Sequence, residues 1–255
     1  MCSNVVRMMR YFSLIFLASI LTNCTKSSRT PYLPPPGGSP KIFDSYSTTG
    51  ASFLSRGWIR GYDMSGVSFN DKRTCTLITP RHVVMAKHYK RPVNSKVIFH
   101  DRKGKRCVRY IHQIQDCKGD VAVGLLDEPV PIGYTSYALP SVQSDHQALI
   151  NRPLAVTDQN KMVFFHRVAS IANGRLMMKF DPEARHGMAK KLVVGDSGNP
   201  AFFITDQKLV LAETHHIGGP GAGPYFGDPA VQQSVIKAVK DLDPNYQIST
   251  QTVTP

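Results

Sequence analysis

The chain has 255 residues, of which 42% are hydrophobic and 19% are charged, and its formal net charge is +13. This composition excludes a disordered tail and provides enough apolar residues for a sizeable core in one or two domains. The positive charge favours anionic partners. The basic residues are scattered, however, and no nucleic-acid-binding module accompanies them, so we expect no nucleic-acid partner. The densest basic run, 101–106, surrounds a glycine and is typical of a hairpin tip.

The N-terminal segment 1–24 has the pattern of a signal peptide. Two arginines precede the apolar stretch 11–21, which is too short to span a bilayer comfortably. The segment ends at Cys24 in the sequence Leu-Thr-Asn-Cys, which resembles a bacterial lipobox except that Asn23 stands where a small residue is usual. Two alternatives stay open: an ordinary cleaved signal, or lipidation of Cys24 and tethering to a membrane. Both predict an exported protein, periplasmic or extracellular.

The rest of the chain divides into three predicted segments. Residues 25–49 are rich in Pro, Gly and Ser and predict a semi-stiff linker. We expect the folded domain over 50–243 and a loose C-terminal tail over 244–255. Three cysteines lie in the domain, which limits it to one disulfide. If 107–117 is one extended strand, its ends lie roughly 33 Å apart, so these two cysteines cannot pair with each other, while Cys75 with either partner stays open.

Short apolar runs, separated by Gly, Pro, Asn and Asp, fill the domain from about residue 50. Each has the length of a strand and several are rich in β-branched or aromatic residues. Many short strands at such spacing predict an all-β sandwich or barrel. The clearest runs are 76–78, 82–85, 96–99, 121–126, 162–165 and 209–212.

One helix is predicted near the C-terminus. Asp228 is a good N-cap and Pro229 suits the first helical position. An apolar stripe at helical spacing follows, formed by Val231, Val235, Val239 and Leu242. The polar residues expected off that face are Gln232, Lys237 and Lys240.

The sequence Gly-Asp-Ser-Gly-Asn-Pro at 195–200 places Ser197 between glycines in a tight turn. Hydrolysis of an amide by a serine needs a base, a carboxylate that fixes the base, and donors for the oxyanion. The N–H groups of Gly195 and Ser197 are the candidate oxyanion donors, because glycine lets a substrate carbonyl approach the backbone. Taken alone, the run is equally consistent with an ordinary β-turn.

Three segments together resemble those that carry the triad in chymotrypsin-like serine proteases. The first ends in His88, the second places Asp120 before an apolar strand, and the third surrounds Ser197; they are 76–88, 119–126 and 195–200. The order His, Asp, Ser is the chymotrypsin-type order and differs from those of subtilisin and the α/β-hydrolases. The resemblance, to exported members of bacterial type, covers about 50–240. It implies an all-β fold of two six-stranded antiparallel β-barrels with a C-terminal α-helix.

The resemblance also implies a function, that of a serine endopeptidase acting on a protein or peptide substrate. In that mechanism His88 takes the proton of Ser197, and Asp120 holds the tautomer of His88. No cofactor and no metal are expected, since no His/Cys cluster has the spacing of a ligand set. His82 and Asp116 are the alternative base and carboxylate, and their positions in the motifs fit less well.

Substrate specificity is predicted from residues before and after the nucleophile. Lys191 lies six residues before Ser197, at the family's position for the base of the primary specificity pocket, and a Lys with His there favours an acidic side chain before the scissile bond. The alternative is that Lys191 points to solvent and that Leu192 and Val193 form an apolar pocket. The residues assigned to substrate binding are Lys191, Thr214, His215 and His216.

The sequence departs from the family in ways that leave questions open. Thr214 aligns with a residue that bonds the catalytic carboxylate in the family. There is no activation sequence to supply a new N-terminus for Asp196, so this carboxylate has an internal partner, as in bacterial relatives, or the protein is regulated differently. Two other functions compete: a non-catalytic homologue that binds partners, and an α/β-hydrolase esterase. The esterase needs Gly at position 199, where Asn199 stands, and strand–helix alternation, which is missing.

Overall fold

The computed structural model describes residues 38–142, 146–181, 187–205 and 208–253. The predicted signal segment, Cys24 and most of the predicted linker lie outside these residues. Within the described ranges, no helix has both the length and the apolar character needed to span a membrane.

The first half of the domain builds one six-stranded antiparallel sheet. Its strands are β3 (Val67–Ser68), β4 (Cys75–Thr79), β5 (His82–Ala86), β6 (Lys96–His100), β7 (Arg106–Asp116) and β8 (Val121–Leu126). Their order in the sheet is β3-β4-β5-β8-β7-β6. The edge strands β3 and β6 contact each other, so the sheet curls into a barrel. One face of these strands fills the interior of the barrel, and the other packs in the main core cluster together with the C-terminal helix, which explains why β4, β5 and β8 are buried along their whole length. Met85 lies on the first face and Val84 on the second.

The second half builds another six-stranded antiparallel sheet. Its strands are β10 (Pro153–Thr157), β11 (Val163–Ala172), β12 (Arg175–Phe180), β13 (Pro200–Ile204), β14 (Leu209–Thr214) and β15 (Ala222–Pro224). Their order is β14-β13-β10-β11-β12-β15, and the edge strands β14 and β15 also contact each other. The predicted fold of two six-stranded antiparallel barrels is therefore confirmed, and each predicted apolar run lies in or overlaps a strand.

Smaller elements complete the fold. Two short pairs lie outside the barrels: β1 (Phe43–Ser45) with β2 (Phe53–Leu54), and β9 (Leu139–Pro140) with β16 (Thr250–Gln251). Three 3₁₀ helices cover Trp58–Gly61, Lys87–Tyr89 and Gln147–Leu149. The predicted hairpin tip at 101–106 lies between β6 and β7, as expected.

The C-terminal helix α1 spans Pro229–Leu242 and packs against β7 and β8 of the first barrel. Its cap is the predicted one, since the Asp228 carboxylate accepts from the N–H groups of Ala230 and Val231. Gln232 differs from the prediction, because it is buried and its amide donates to the carbonyls of Pro140 and Phe226. These two hydrogen bonds satisfy a polar group that the helical pattern alone places in solvent.

Residues 244–253 are not a loose tail. Strand β16 pairs in parallel with β9, and Val253 is buried in the core of the second barrel. Tyr246 and Ile248 pack against the main core cluster. Apolar side chains in a polar segment gave no periodic signal, so the sequence pattern missed this packing.

No disulfide occurs among the described residues, and Cys75, Cys107 and Cys117 are all free thiols. Strand β7 runs from Arg106 to Asp116 without a break, which separates Cys107 from Cys117 as the sequence indicated. Burial raises the pKa of Cys117 to about 11, so its thiol is protonated at neutral pH.

Candidate active site

The sheet of the first barrel brings His88 and Asp120 together. Strands β5 and β8 are antiparallel neighbours, with Ala86 paired to Val121. The residues that follow β5 and those that precede β8 therefore meet at one edge of the sheet. The backbone N–H of His88 donates to Asp120 Oδ1 at 3.0 Å, which fixes the carboxylate relative to the backbone.

The turn before β13 presents Ser197 from the second barrel. The turn closes by a bond from the N–H of Asn199 to the carbonyl of Asp196, and Gly198 has a φ of +83°, in the left-handed region. Asn199 also reaches the first barrel, because its Oδ1 accepts from the hydroxyl of Thr74 at 3.0 Å. This buried bond links the two barrels beside Ser197.

The three predicted triad side chains form a continuous chain of hydrogen bonds. His88 Nε2 lies 3.0 Å from Ser197 Oγ, and His88 Nδ1 lies 2.5 Å from Asp120 Oδ2. Partial burial raises the pKa of Asp120, but hydrogen bonds from His216 and His88 outweigh that effect and hold the pKa below its usual range. The carboxylate is therefore ionised, and the Nδ1–H tautomer of His88 leaves Nε2 free to accept from the serine.

The backbone beside Ser197 carries the two predicted oxyanion donors. Gly195 has a φ of +98°, and a Cβ at this position would lie 2.6 Å from the amide of Gln159. Within the described part of the chain, no acceptor takes the N–H of Gly195 or of Ser197. Both donors are thus available to a ligand oxygen.

A second histidine binds the triad carboxylate. His216 Nδ1 donates to Asp120 Oδ2 at 2.6 Å, the same oxygen that accepts from His88. Thr214 was expected to bond this carboxylate, but its hydroxyl is buried and has no hydrogen-bond partner in the described ranges. Strand β14 contains a bulge, because Ala201 pairs with Glu213 whereas Phe202 pairs with Leu211. A bulge adds one residue to a strand, so a position that is counted from the sequence alone is wrong by one residue after it.

Asp196 has an internal partner, Lys190. Lys190 Nζ lies 3.3 Å from Asp196 Oδ2 and also bonds the carboxylate of Asp158. The N–H groups of Gln159 and Val193 donate to Asp196 as well, at 3.1 and 2.8 Å. This cluster holds the loop before Ser197 without a new N-terminus, which answers the question that the missing activation sequence raised.

The predicted specificity residues differ in burial and in their hydrogen bonds. Lys191 is exposed, whereas Leu192 is buried and bridges to Gly219. His215 is buried, and its ring donates to Glu213 Oε1 at 2.6 Å and to the Thr157 carbonyl at 3.0 Å. Burial lowers the pKa of His215, but the charge of Glu213 and its hydrogen bond outweigh burial, so the pKa is raised. Both ring nitrogens of His215 thus face acceptor oxygens, and the ring is paired with the carboxylate of Glu213.

The alternative base and carboxylate lie elsewhere. His82 is in the core, where its Nδ1 bonds the Thr79 hydroxyl at 2.8 Å and burial lowers its pKa to about 4. Asp116 pairs with Lys90 at 2.6 Å. Neither residue has a hydrogen bond to Ser197 or His88 among those of the described residues.

The fold also gathers three groups that can ligate a metal. Ligand atoms of His88, Asp120 and His216 all lie within 4.8 Å of one another. The sequence suggested no metal site, because these residues are 32 or more positions apart and no spacing rule connects them.

Comparisons with known proteins support the architecture. The sequence matches no protein-family model, and it matches no curated protein sequence. Among solved structures, the chain is similar to a mutant of human heparin binding protein (CAP37), with a TM-score of 0.54 and 14% sequence identity. The alignment covers 71% of this chain and 93% of that one. At this identity the similarity bears on the fold alone, and with the two six-stranded antiparallel barrels it shows that the chain has the chymotrypsin-like fold.

Proposed function

We propose that the protein is a serine endopeptidase that uses Ser197 as its nucleophile. The observation that carries the proposal is the continuous hydrogen-bond chain from Ser197 through His88 to Asp120, with distances of 3.0 and 2.5 Å. Three side chains from separate parts of the sequence meet in the geometry that nucleophilic acyl transfer needs.

In the first step His88 Nε2 accepts the proton of Ser197 as the serine oxygen attacks a peptide carbonyl. The imidazolium that forms is stabilised by the ionised carboxylate of Asp120. The N–H groups of Gly195 and Ser197 receive the oxyanion, and one such donor is typically worth about 3–4 kcal/mol of transition-state stabilisation. His88 then passes the proton to the leaving amine, and a water molecule releases the acyl group from Ser197.

The direct test is labelling by a fluorophosphonate, which reacts only with an activated serine. We expect the chain without residues 1–24 to be labelled at Ser197, and Ser197→Ala to be unlabelled. Ser141→Ala is the matched control, because Ser141 lies outside the site, and it is expected to label as the unaltered chain does. A folded chain that resists labelling contradicts the proposal.

We propose further that the substrate specificity is a preference for acidic residues before the scissile bond. Lys190 and His215 are neutralised by carboxylates, whereas Lys191 is exposed and has no ion pair within the described ranges. Lys191 is therefore a cation that can meet an acidic side chain. Its exposure agrees equally with the alternative, in which Lys191 points to solvent. A peptide-library profile should show enrichment of Asp and Glu that Lys191→Gln removes. A profile without that enrichment favours the alternative that Lys191 points to solvent; of the two neighbouring apolar residues, Leu192 is buried and Val193 is half exposed.

The competing function is that of a binding protein without catalysis. The structural neighbour is named for heparin binding, and this chain carries a net charge of +13. The hydrogen-bonded Ser197 and the free N–H groups favour the enzyme, because a binding cleft requires neither. Retention on a heparin column together with failure to react with fluorophosphonate would favour the binding protein.

We also propose that the chain is exported and that Cys24 tethers it to a membrane. The support is the sequence pattern of residues 1–24. Metabolic labelling with a radioactive fatty acid should mark the chain and should fail to mark Cys24→Ser, which would be released as a soluble exported protein.

A further inference from the structure

We infer that His88, Asp120 and His216 form a binding site for a divalent transition metal such as Zn²⁺, and that the metal switches the site off. Two imidazole nitrogens face one carboxylate oxygen, at 2.5 and 2.6 Å. Both nitrogens are Nδ1 atoms, and both rings approach the same oxygen, Asp120 Oδ2. The mechanism proposed above uses only one of these two rings.

The chemistry of the three donors fits zinc. Neutral imidazole nitrogens and carboxylate oxygens are its usual ligands, at about 2.0–2.2 Å in a tetrahedral arrangement. In such an arrangement the ligand atoms lie roughly 3.3 Å from one another, following from the bond lengths. The present separations within 4.8 Å need only small rotations of the side chains to reach it. Water completes the fourth position.

The site is open to solvent. The side chains of His88 and His216 are 43% and 35% exposed, while that of Asp120 is 16% exposed. A cavity of about 560 Å³ borders Asp120 and His216, and it offers a path for the ion. Two cations, Lys118 and Arg175, and one further carboxylate, Asp228, also line this cavity, so the net charge of these three opposes the metal and we expect weaker binding than in a structural zinc site.

Metal binding would block the base. In the free protein the Nδ1–H of His88 faces Asp120, and Nε2 accepts from Ser197. A metal on Nδ1 leaves the single proton of the neutral ring on Nε2, so His88 donates to Ser197 Oγ and cannot take its proton. The ring of His216 shifts its proton in the same way, and no proton is released overall. This inhibitory consequence rests on the proposed function, whereas the binding of the metal does not.

The test of binding uses Ser197→Ala, which cannot digest itself, titrated with Zn²⁺ in a calorimeter. We expect one zinc ion per chain and an affinity that falls at least ~10-fold when His216 is also changed to Ala. His112→Ala is the matched control, because His112 is exposed on β7 away from the site, and it should bind zinc unchanged. Equal affinity in the His216→Ala protein would overturn the inference.

A second measurement guards against misfolding of the variants. Co²⁺ added to the Ser197→Ala chain should give the visible absorption of a tetrahedral nitrogen and oxygen site, and His216→Gln should lose it while keeping its circular dichroism spectrum. An octahedral, aqueous-type spectrum in the Ser197→Ala chain would overturn the assignment.

The inhibitory step is tested on the chain with Ser197 intact. Zinc should slow fluorophosphonate labelling of this chain and of His112→Ala, and should slow it at least ~10-fold less in His216→Ala. Labelling that is unaffected by bound zinc would refute the switch. A chain that is not labelled even without zinc would refute the proposed function, and the calorimetric titration would still decide the site.

Discussion

Two aspartates support Ser197, and they do so in opposite environments. Asp120, from the first barrel, is 16% exposed and accepts hydrogen bonds from two imidazole rings. Asp196, in the loop before β13 of the second barrel, is buried and accepts from Lys190 and two backbone N–H groups. In the proposed mechanism the first carboxylate positions the side chain that moves protons, whereas the second holds the shape of the backbone.

The difference predicts which property each carboxylate controls. A carboxylate that water reaches contributes little to stability, so Asp120 should matter to the reaction far more than to folding. Two buried carboxylates that share one half-buried lysine are costly to leave unpaired, so the cluster of Asp196 should matter to folding first.

The largest effect is expected from Asp120→Asn. The amide keeps the shape of the side chain but holds the wrong tautomer of His88, and kcat should fall about 10⁴-fold, as the general triad mechanism implies. The free energy of unfolding should change by less than about 1 kcal/mol. Activity against a peptide substrate and urea unfolding check the two parts.

Asp116→Asn is the control for this prediction, because Asp116 lies near by and pairs with Lys90 instead. It should keep full activity. A strong loss in this variant would mean that the electrostatic field, rather than the bond to His88, is what matters.

The next largest effect is expected from Lys190→Met, which tests the other half of the comparison. The change removes the cation that bonds Asp158 and Asp196, both buried. Breaking such a cluster typically costs about 3–5 kcal/mol of unfolding free energy. Activity should fall as well, because the loop that carries Gly195 loses its support.

Lys191→Met is the matched control, since Lys191 is the neighbouring lysine and is exposed. Its unfolding free energy should change by no more than about 0.5 kcal/mol, as surface changes usually do. Equal destabilisation by the two variants in urea would show that the Lys190 cluster adds nothing.

The sequence predicted those features that can be recognised in short segments of the chain. The three predicted triad residues were selected because their segments resemble those of chymotrypsin-like proteases, and the fold brings their side chains within hydrogen-bond distance of one another. The N-cap of α1 was likewise local, because Asp228 and Pro229 are adjacent.

The rest depends on tertiary packing that no local pattern contains. Lys190 and Lys191 are adjacent and chemically identical in the sequence, and only the fold decides which one is enclosed. His216 reaches Asp120 from 96 residues away, past a bulge in β14. The packed segment after Asp243 depends on β9, which was too short to be recognised.

The pH dependence of stability provides a third test of the comparison, through His166, which lies beside Lys190. His166 Nδ1 donates to the Pro220 carbonyl at 2.7 Å, and its Nε2 accepts from the N–H of Lys190. Burial lowers the pKa of His166 to about 4, from an ordinary value of 6.5. Between these values the unfolded chain binds the proton and the folded chain does not, so stability should fall as pH falls through this window.

The measurement is the free energy of unfolding in urea at neutral pH and near pH 4. His166→Gln should lose less stability between the two than the unaltered chain, by about 1.4 kcal/mol for each tenfold difference in proton affinity between the unfolded and folded chains. His82, whose pKa is also about 4, keeps a residual dependence in both proteins. An identical pH dependence in the variant would show that His166 does not titrate as its burial implies.

The smallest effect is expected from a third aspartate, Asp228, which belongs to neither cluster. Its carboxylate caps α1 through two bonds of 3.0 Å, so Asp228→Ala should cost about 1 kcal/mol of unfolding free energy. Asp228 also borders the cavity beside Asp120 and His216. The rate of fluorophosphonate labelling of Asp228→Ala therefore tests whether a nearby negative charge affects the reactivity of Ser197. An unchanged rate shows that the reactivity of Ser197 depends on the carboxylate bonded to His88, and a changed rate shows that nearby negative charge is enough.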